Sequence, residues 1–361
     1  MTSRDTAFDV LRAYAIVHVV LSHAIPYFLP HLSPLAERAA WCVLSVNFGV
    51  PLFFVLSGYL ITQQLARNEP VAWFYVRRLS KIYPTYLLLL LVAAVAGDLA
   101  GPKPAYFLGL QNLWGNELGP LAFSWSLAVE IQFYLIAPLI FRLLRHRRAL
   151  LWVILYAVAA SLAYTFLVAR PLAVPVAESH SRAFAFYCHT LSNMSSLCLG
   201  GILYWMHRDG RKISHAMFWL LSGVAFLLAT RYQFSKTLDL SGVSLDSTAS
   251  NVFFSLNVMA SPLAAFLLAY WLQANLKAGQ WPGYEAFRLV ARISYQWYLF
   301  HLLLIVHWPV ARAGQTDRAG FLAFMLLSPG LAYVLTVFVE EPVMRLMRNK
   351  AAGLRSRPSP G

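Results

Sequence analysis

Charged residues are scarce in this sequence. Only 12% of its 361 residues are Asp, Glu, Lys or Arg, and 59% are hydrophobic, whereas soluble domains average about 25% charged and about 45–50% apolar residues. An apolar excess that extends along the whole chain cannot be buried in one soluble core, so it must face lipid. The composition therefore predicts a multi-pass membrane protein.

Cysteine is rare, and the common catalytic signatures are absent. Cys42, Cys188 and Cys198 have no metal-ligand spacing, and we interpret them as packing residues. The sequence contains no P-loop, no G-x-S-x-G motif, no H-E-x-x-H motif and no segment typical of a cleavable signal peptide. These absences predict metal-free chemistry without a permanently bound cofactor.

Apolar runs long enough to cross about 30 Å of hydrocarbon recur along the chain. They cover residues 10–29, 43–63, 83–99, 123–142, 149–169, 183–206, 214–230, 251–275, 287–308 and 319–340. The sequence therefore predicts an all-α fold with about ten transmembrane helices. We expect one transmembrane domain over residues 1–345, followed by a short basic tail over 346–361.

Acidic residues are fewer than basic ones, and the net charge is +14. Twenty lysines and arginines fall in the connections on one side of the predicted spans, and eight fall on the other side. The positive-inside rule then predicts that both termini are cytoplasmic. The basicity is thus explained by topology and by attraction to anionic lipid, and no nucleic-acid partner is expected.

The first predicted span carries three ionisable residues. Such residues cost about 2.5–3.5 kcal/mol each on insertion scales, so each needs a reason to be there. Arg12 and His23 are 11 residues apart, which places them on one helix face and separates them by about 16 Å along the axis. His18 turns away from that face and is predicted to pack elsewhere. A snorkelling anchor is the alternative role for Arg12, and a hydrogen-bonded packing residue is the alternative for His23.

Glu130 is predicted to lie well inside the fourth span, at a depth similar to that of His23, with Ser126 one turn earlier. A buried carboxylate needs a cation or a proton. One interpretation is a structural ion pair with Arg12 or Arg182. The other is a His23–Glu130 pair, in which the carboxylate orients the imidazole while the ring takes a proton from an attacking group.

Two further segments could bind a ligand. Arg77, Arg78 and Lys81 precede the third predicted span in FYVRRLSKIYP. Positive-inside charge explains most such clusters, but a docking site for a phosphorylated ligand is the alternative, since arginine matches phosphate oxygens. Ser57 and Gly58 lie in the second span, where glycine permits close approach of a ligand or of another helix.

Six segments resemble, in order, the signatures of acyltransferase family 3, integral membrane enzymes that O-acylate cell-surface carbohydrates, exopolysaccharides, lipopolysaccharide O-antigen, Nod factors and some antibiotics. They are FDVLRAYAIVHVVLSHA, FFVLSGYLI, FYVRRLSKIYPTY, WSLAVEIQFYLIAPLI, ISYQWYLFH and FVEEPVMRL. Two positions depart from the family pattern. Lys81 replaces the second arginine of Arg-x-x-Arg, and Ile131 replaces a second acid beside Glu130. The soluble C-terminal hydrolase-like domain of many members is also not present in this sequence.

The resemblance implies acyl-CoA, usually acetyl-CoA, as a cytoplasmic donor and a carbohydrate hydroxyl, on polysaccharide or a lipid-linked oligosaccharide, as acceptor, in the bacterial inner membrane. It implies His23 as the base, supported by Arg12 and Glu130. The residues expected at the donor are Arg77, Arg78, Lys81, Ser57 and Gly58. An acyl-histidine intermediate is the competing mechanism. A small secreted acceptor such as a macrolide, and a transporter or flippase, are the alternative functions.

Overall fold

The computed structural model describes residues 3–31, 48–67, 70–101, 103–113, 115–167, 187–225, 247–276, 283–308 and 316–347. These ranges are helical and contain no strand, which confirms the all-α prediction. The α-helices are α1 (Ser3–Phe28), α2 (Gly49–Leu65), α3 (Val71–Ala96), α4 (Lys103–Leu108), α5 (Trp125–Ile140), α6 (Ala149–Leu167), α7 (Thr190–Arg208), α8 (His215–Ala225), α9 (Ser247–Asn275), α10 (Tyr284–Val306) and α11 (Arg318–Leu335). Short 3-10 helices cover Gln111–Leu113, Gly115–Ser124 and Leu143–Arg145, and a π turn at Thr336–Glu340 follows α11.

Five stretches within the described residues are long and apolar enough to cross a membrane, so the chain is a multi-pass membrane protein. They are Thr6–Phe28, Val71–Ala96, Pro120–Ile140, Tyr284–Val306 and Arg318–Met347. The other predicted spans coincide with α2, α6, α7, α8 and α9. The count of ten spans and the cytoplasmic position of both termini stay predictions.

The third predicted span differs most from the structure. We expected residues 83–99, but α3 runs from Val71 to Ala96 and carries the basic cluster within the helix. A search for apolar runs leaves out segments that contain basic residues, so it missed the first part of α3. A membrane helix can nevertheless hold basic residues where they face a cavity inside the protein.

Parts of three predictions lie outside the described ranges. Cys42, Arg182 and residues 348–361 of the predicted tail lie outside them. Cys188 and Cys198 are buried free thiols, as expected for packing residues.

Helix α10 connects the helices that surround it. The Tyr295 hydroxyl donates to the Ile82 carbonyl of α3 at 2.8 Å, and the Trp297 indole donates to the Ser328 hydroxyl of α11 at 2.9 Å. Helix α1 packs along α10 and also along α2. These contacts fix the rotation of α10 and therefore the direction of the polar side chains in its last turns.

Helices α2 and α7 approach closely through glycine. A Cβ at Gly58 would overlap the backbone of Leu197, and a Cβ at Gly200 would overlap the Val55 carbonyl. Small residues at a crossing let two membrane helices pack backbone against backbone. The structure therefore shows Gly58 at a helix–helix contact, and its predicted role at the donor stays a prediction.

We expect Gly58→Ala to destabilise the protein, because the backbone of α7 can give way only if the two helices separate. Overpacking of this kind typically costs about 1–3 kcal/mol. The midpoint of thermal unfolding in detergent should fall by several degrees. Gly223→Ala is the matched control, since a Cβ there meets nothing within 4 Å, and its midpoint should not fall. Equal midpoints for the two variants would contradict the tight contact.

Candidate active site

A basic cavity of about 120 Å³ lies between α1, α2, α3, α5 and α10. Arg12, Arg78, Lys81 and Glu130 all line it. Other polar residues of its wall are Ser57, Ser126, Tyr134, Ser294, Tyr295 and Tyr298. The predicted adjacency of Arg78 and Lys81 is therefore present, and the fold adds Arg12 and Glu130 from two other helices to the same space.

Carboxylates balance part of this positive charge. Glu130 Oε1 accepts a hydrogen bond from the Tyr134 hydroxyl at 2.8 Å, one helical turn away on α5. The Arg78 guanidinium lies 5.7 Å from the centroid of the Tyr134 ring, and its buried Nε has no hydrogen-bond partner. A buried donor without a partner costs free energy unless an acceptor arrives. The Arg78 side chain is thus prepared for an anionic group in the cavity.

Glu340 is a second acidic residue near the basic side chains of the cavity, and sequence reasoning did not predict it. It interacts electrostatically with both Arg12 and Lys81, and its Oε2 accepts from Gln296 Nε2 at 2.8 Å. The next residue, Glu341, instead pairs with Arg292 at 2.6 Å. The π turn that ends at Glu340 belongs to a type of bulge that is frequent at functional sites. The segment FVEEPVMRL contains both acids, but the sequence alone does not reveal which of them faces inward.

A second cavity, the histidine chamber, has a volume of about 170 Å³. His23 of α1 faces it and is exposed in the structure, whereas His301 of α10 is fully buried at 0% exposure. Nδ1 of His23 lies 3.1 Å from Nε2 of His301. The two imidazoles therefore form a hydrogen-bonded pair in which only His23 is accessible from the chamber.

The hydrogen bonds of this pair define which nitrogens carry protons. His301 Nδ1 lies 2.6 Å from the Tyr298 carbonyl, which can only accept, so Nδ1 must carry the proton. In the neutral ring, Nε2 of His301 then has the lone pair and accepts from Nδ1–H of His23. This leaves Nε2 of His23 unprotonated. Such a nitrogen can remove a proton or act as a nucleophile.

The predicted His23–Glu130 pair is not formed. His23 contacts His301, while Glu130 contacts Tyr134 and lines the basic cavity. Similar depth in the membrane does not bring two residues together, because the rotation of each helix also decides which neighbour its side chain meets. Sequence reasoning missed His301 as the partner, although the segment ISYQWYLFH contained it.

The two cavities share a wall formed by Val50 and Tyr298. The Tyr298 hydroxyl donates to the Phe123 carbonyl at 2.8 Å and lies 2.6 Å from the Ser126 hydroxyl. The Ser126 hydroxyl also lies 3.4 Å from the Phe123 carbonyl, so the two hydroxyls and the carbonyl form one hydrogen-bonded group. These bonds hold the aromatic ring between the basic cavity and the histidine chamber.

The remaining predicted site residues are placed as follows. Ser57 lines the basic cavity, whereas Arg77 is not among its lining residues, so a donor contact by Arg77 stays a prediction. His18 is buried with its ring centroid 6.0 Å from that of Tyr14. It packs as expected, but it also borders the histidine chamber.

Helix α1 therefore presents Arg12 to the basic cavity and His23 to the histidine chamber. This is an arrangement for acid–base or nucleophilic chemistry on a charged substrate within a membrane. The profile of acyltransferase family 3, described as an acyltransferase domain, matches residues 5–337. The chain belongs to this family and is an O-acyltransferase, which confirms the prediction from its motifs.

Several curated proteins are similar to the chain over most of its length. Nodulation protein 10 of Rhizobium leguminosarum bv. viciae is 24% identical over 96% of this chain and 95% of its own length. O-acetyltransferase OatA of Staphylococcus aureus (strain NCTC 8325 / PS 47) is 24% identical over 93% of this chain, which spans 57% of OatA. Acyltransferase MdmB of Streptomyces mycarofaciens is 26% identical over 83% of this chain and 81% of its own length. No solved structure matches the chain.

Proposed function

We propose that the protein transfers an acetyl group from cytoplasmic acetyl-CoA to a hydroxyl of a cell-envelope or exported carbohydrate, in the bacterial inner membrane. In this proposal ten helices span the bilayer and both termini are cytoplasmic. The observation that carries it is the accessible His23 imidazole, hydrogen-bonded through Nδ1 to His301, in a chamber that adjoins a cavity with three cationic side chains. The relative named O-acetyltransferase supports transfer of an acetyl group to oxygen, and the carbohydrate acceptor is what the family resemblance implies.

The basic cavity would receive the donor. Arg78 offers a rigid fork of donors with an unpartnered Nε, and Lys81 offers a compact charge, a combination that suits phosphate oxygens. The cavity of about 120 Å³ is smaller than the roughly 300–1,000 Å³ of typical small-ligand pockets. The acyl end of the donor would therefore enter it, while the nucleotide stays outside and its phosphates lie at the mouth.

The transfer step would occur at the shared wall. Nε2 of His23 takes the proton of the carbohydrate hydroxyl as its oxygen attacks the thioester carbonyl, and a carbon–oxygen bond forms. The carbon–sulfur bond then breaks, and the leaving sulfur takes the proton back from the imidazolium. The products are a carbohydrate ester and CoA thiol, and His23 returns to its starting state. His301 fixes the tautomer throughout.

The direct test is transfer by the purified full chain. The protein is reconstituted in lipid nanodiscs with [14C]acetyl-CoA and with envelope polysaccharide from a strain that lacks the gene. We expect label in the polysaccharide that mild alkali releases as acetate. Heat-denatured protein is the control. Failure of intact, folded protein to form a labelled ester would refute the proposed reaction.

In the competing acyl-histidine mechanism, Nε2 of His23 attacks the acyl group itself, and this predicts different kinetics of CoA release. If His23 were the nucleophile, acetyl-CoA alone would release about one CoA per enzyme in a rapid burst and leave labelled protein. Under general-base catalysis, acceptor is required before CoA is released. Rapid-quench measurement of CoA thiol with and without polysaccharide separates the two.

Lys81 gives a test of the donor position. We expect Lys81→Ala to raise KM for acetyl-CoA about tenfold, because a charge–phosphate contact is worth about 1.5–3 kcal/mol, while kcat changes little. Lys81→Arg retains the charge and should keep KM near the wild-type value. Arg67→Ala is the control, since Arg67 is exposed outside the cavity. An unchanged KM in Lys81→Ala would place the phosphates elsewhere.

A further inference from the structure

A third cavity lies apart from the active site, between the end of α7, the start of α8 and the end of α9. This interfacial cleft has a volume of about 580 Å³ and shares no lining residue with the basic cavity or the histidine chamber. It is wide enough for part of a ligand of ordinary small-molecule size. Because it lies where three of the predicted spans begin or end, its ligand would be bound near the membrane surface.

The wall of the interfacial cleft is basic. Arg211, Lys212, His207 and His215 line it, and none of the described lining residues is acidic. The nearest acid in sequence, Asp209, accepts from Arg145 Nε at 3.2 Å and also lies 3.8 Å from a terminal nitrogen of Arg211. Asp209 balances part of the Arg211 charge, whereas Lys212 and the two histidines add to a net positive wall that favours an anion.

Two buried hydrogen-bond donors of the wall have no partner. Arg211 is anchored through one terminal nitrogen, which donates to the Arg145 carbonyl at 3.0 Å, but its buried Nε is unsatisfied. Buried Gln273 Nε2 is also unsatisfied. Each such donor carries a desolvation penalty that a ligand oxygen would remove. A phosphate group supplies several oxygens and a negative charge together, so it suits both donors and the basic wall.

Exposed aromatic rings border the same cleft. The exposed fractions are 69% for Trp219 and 48% for Trp271. Tryptophan is enriched where the hydrocarbon of a bilayer meets the headgroups, and basic pockets between membrane helices bind anionic lipid headgroups. The geometry thus combines a phosphate-binding wall with a rim suited to acyl chains. We propose that the interfacial cleft binds the headgroup phosphate of an anionic phospholipid.

The test compares lipid binding by the full chain and by two charge variants. Thermal unfolding is followed in detergent with added phosphatidylglycerol, phosphatidylcholine or inorganic phosphate. We expect phosphatidylglycerol to raise the wild-type midpoint by several degrees, since a ligand that binds only the folded state stabilises it. Phosphatidylcholine and phosphate should have much smaller effects. The double variant Arg211→Gln/Lys212→Gln should need at least tenfold more phosphatidylglycerol for the same shift.

Two further variants keep the result interpretable. Arg147→Gln/Arg148→Gln removes the same charge from exposed positions outside the cleft and should respond like the wild type. Lys212→Glu changes an exposed side chain of the rim and should weaken binding even if loss of Arg211 unfolds the chain. An equal shift with inorganic phosphate would identify a free-phosphate site, and an equal response of all variants would identify non-specific lipid attraction. Either result overturns the proposal.

Discussion

Replacement of His23 with alanine is expected to lower the rate of acyl transfer about a thousandfold or more. General acid–base catalysis typically contributes about a hundredfold to ten-thousandfold, and His23 presents the accessible nitrogen of the histidine pair. Donor binding should change little, because the basic cavity is lined by other residues. Initial rates of [14C]ester formation, normalised to the amount of folded protein in nanodiscs, measure the loss. Equilibrium binding of acetyl-CoA measures the donor affinity.

The control for this experiment is His146→Ala. His146 is an exposed histidine in the connection before α6, and it lines neither the basic cavity nor the histidine chamber. This variant should retain wild-type rates. Full activity of His23→Ala in folded protein would remove His23 from the mechanism, and a loss of acetyl-CoA binding would show that the histidine chamber also holds the donor.

The second large effect is expected at His301, which acts through His23 as a positioning residue. His301→Leu removes the acceptor of the His23 Nδ1 proton, so the ring is free to take the tautomer whose Nε2 is protonated and inactive. Loss of the corresponding group in a serine-protease triad costs about ten-thousandfold in kcat, and we expect a fall in kcat of at least a hundredfold here. KM for acetyl-CoA should stay near the wild-type value.

The conservative variant separates positioning from packing. In His301→Gln, the amide oxygen can accept from Nδ1–H of His23, so kcat should recover at least tenfold relative to His301→Leu. Both variants remove the same buried imidazole ring, so each serves as the control for the other. If the two are equally impaired, His301 contributes only packing. If His301→Leu keeps the wild-type kcat, the histidine pair has no part in the reaction.

Helix geometry explains which parts of the site could be predicted. The spacing of Arg12 and His23 is a property of one helix, and the structure places the two in neighbouring cavities. Arg78 and Lys81 are three residues apart, so they also share a face by helix geometry alone. Runs of apolar residues likewise predicted where helices occur, because lipid demands them.

Contacts between helices could not be predicted in the same way. His23 and His301 are 278 positions apart in the chain, and their contact depends on how α1 and α10 are rotated against each other. The same reason explains the wrong His23–Glu130 pair. Glu340 and Glu341 are adjacent acids with different partners, and only the packed π turn decides which of them contacts Gln296 and which pairs with Arg292.

The shared wall of Val50 and Tyr298 has a consequence for the cell as well as for the reaction. In the proposed reaction, the donor and the acceptor come from opposite sides of the membrane, so the protein would cross the barrier that holds the proton gradient. A continuous water path between the basic cavity and the histidine chamber would let ions leak through it. Tyr298, bonded to the Phe123 carbonyl and to Ser126, stands between the two spaces in the structure, so in the proposed reaction its displacement would have to accompany each transfer.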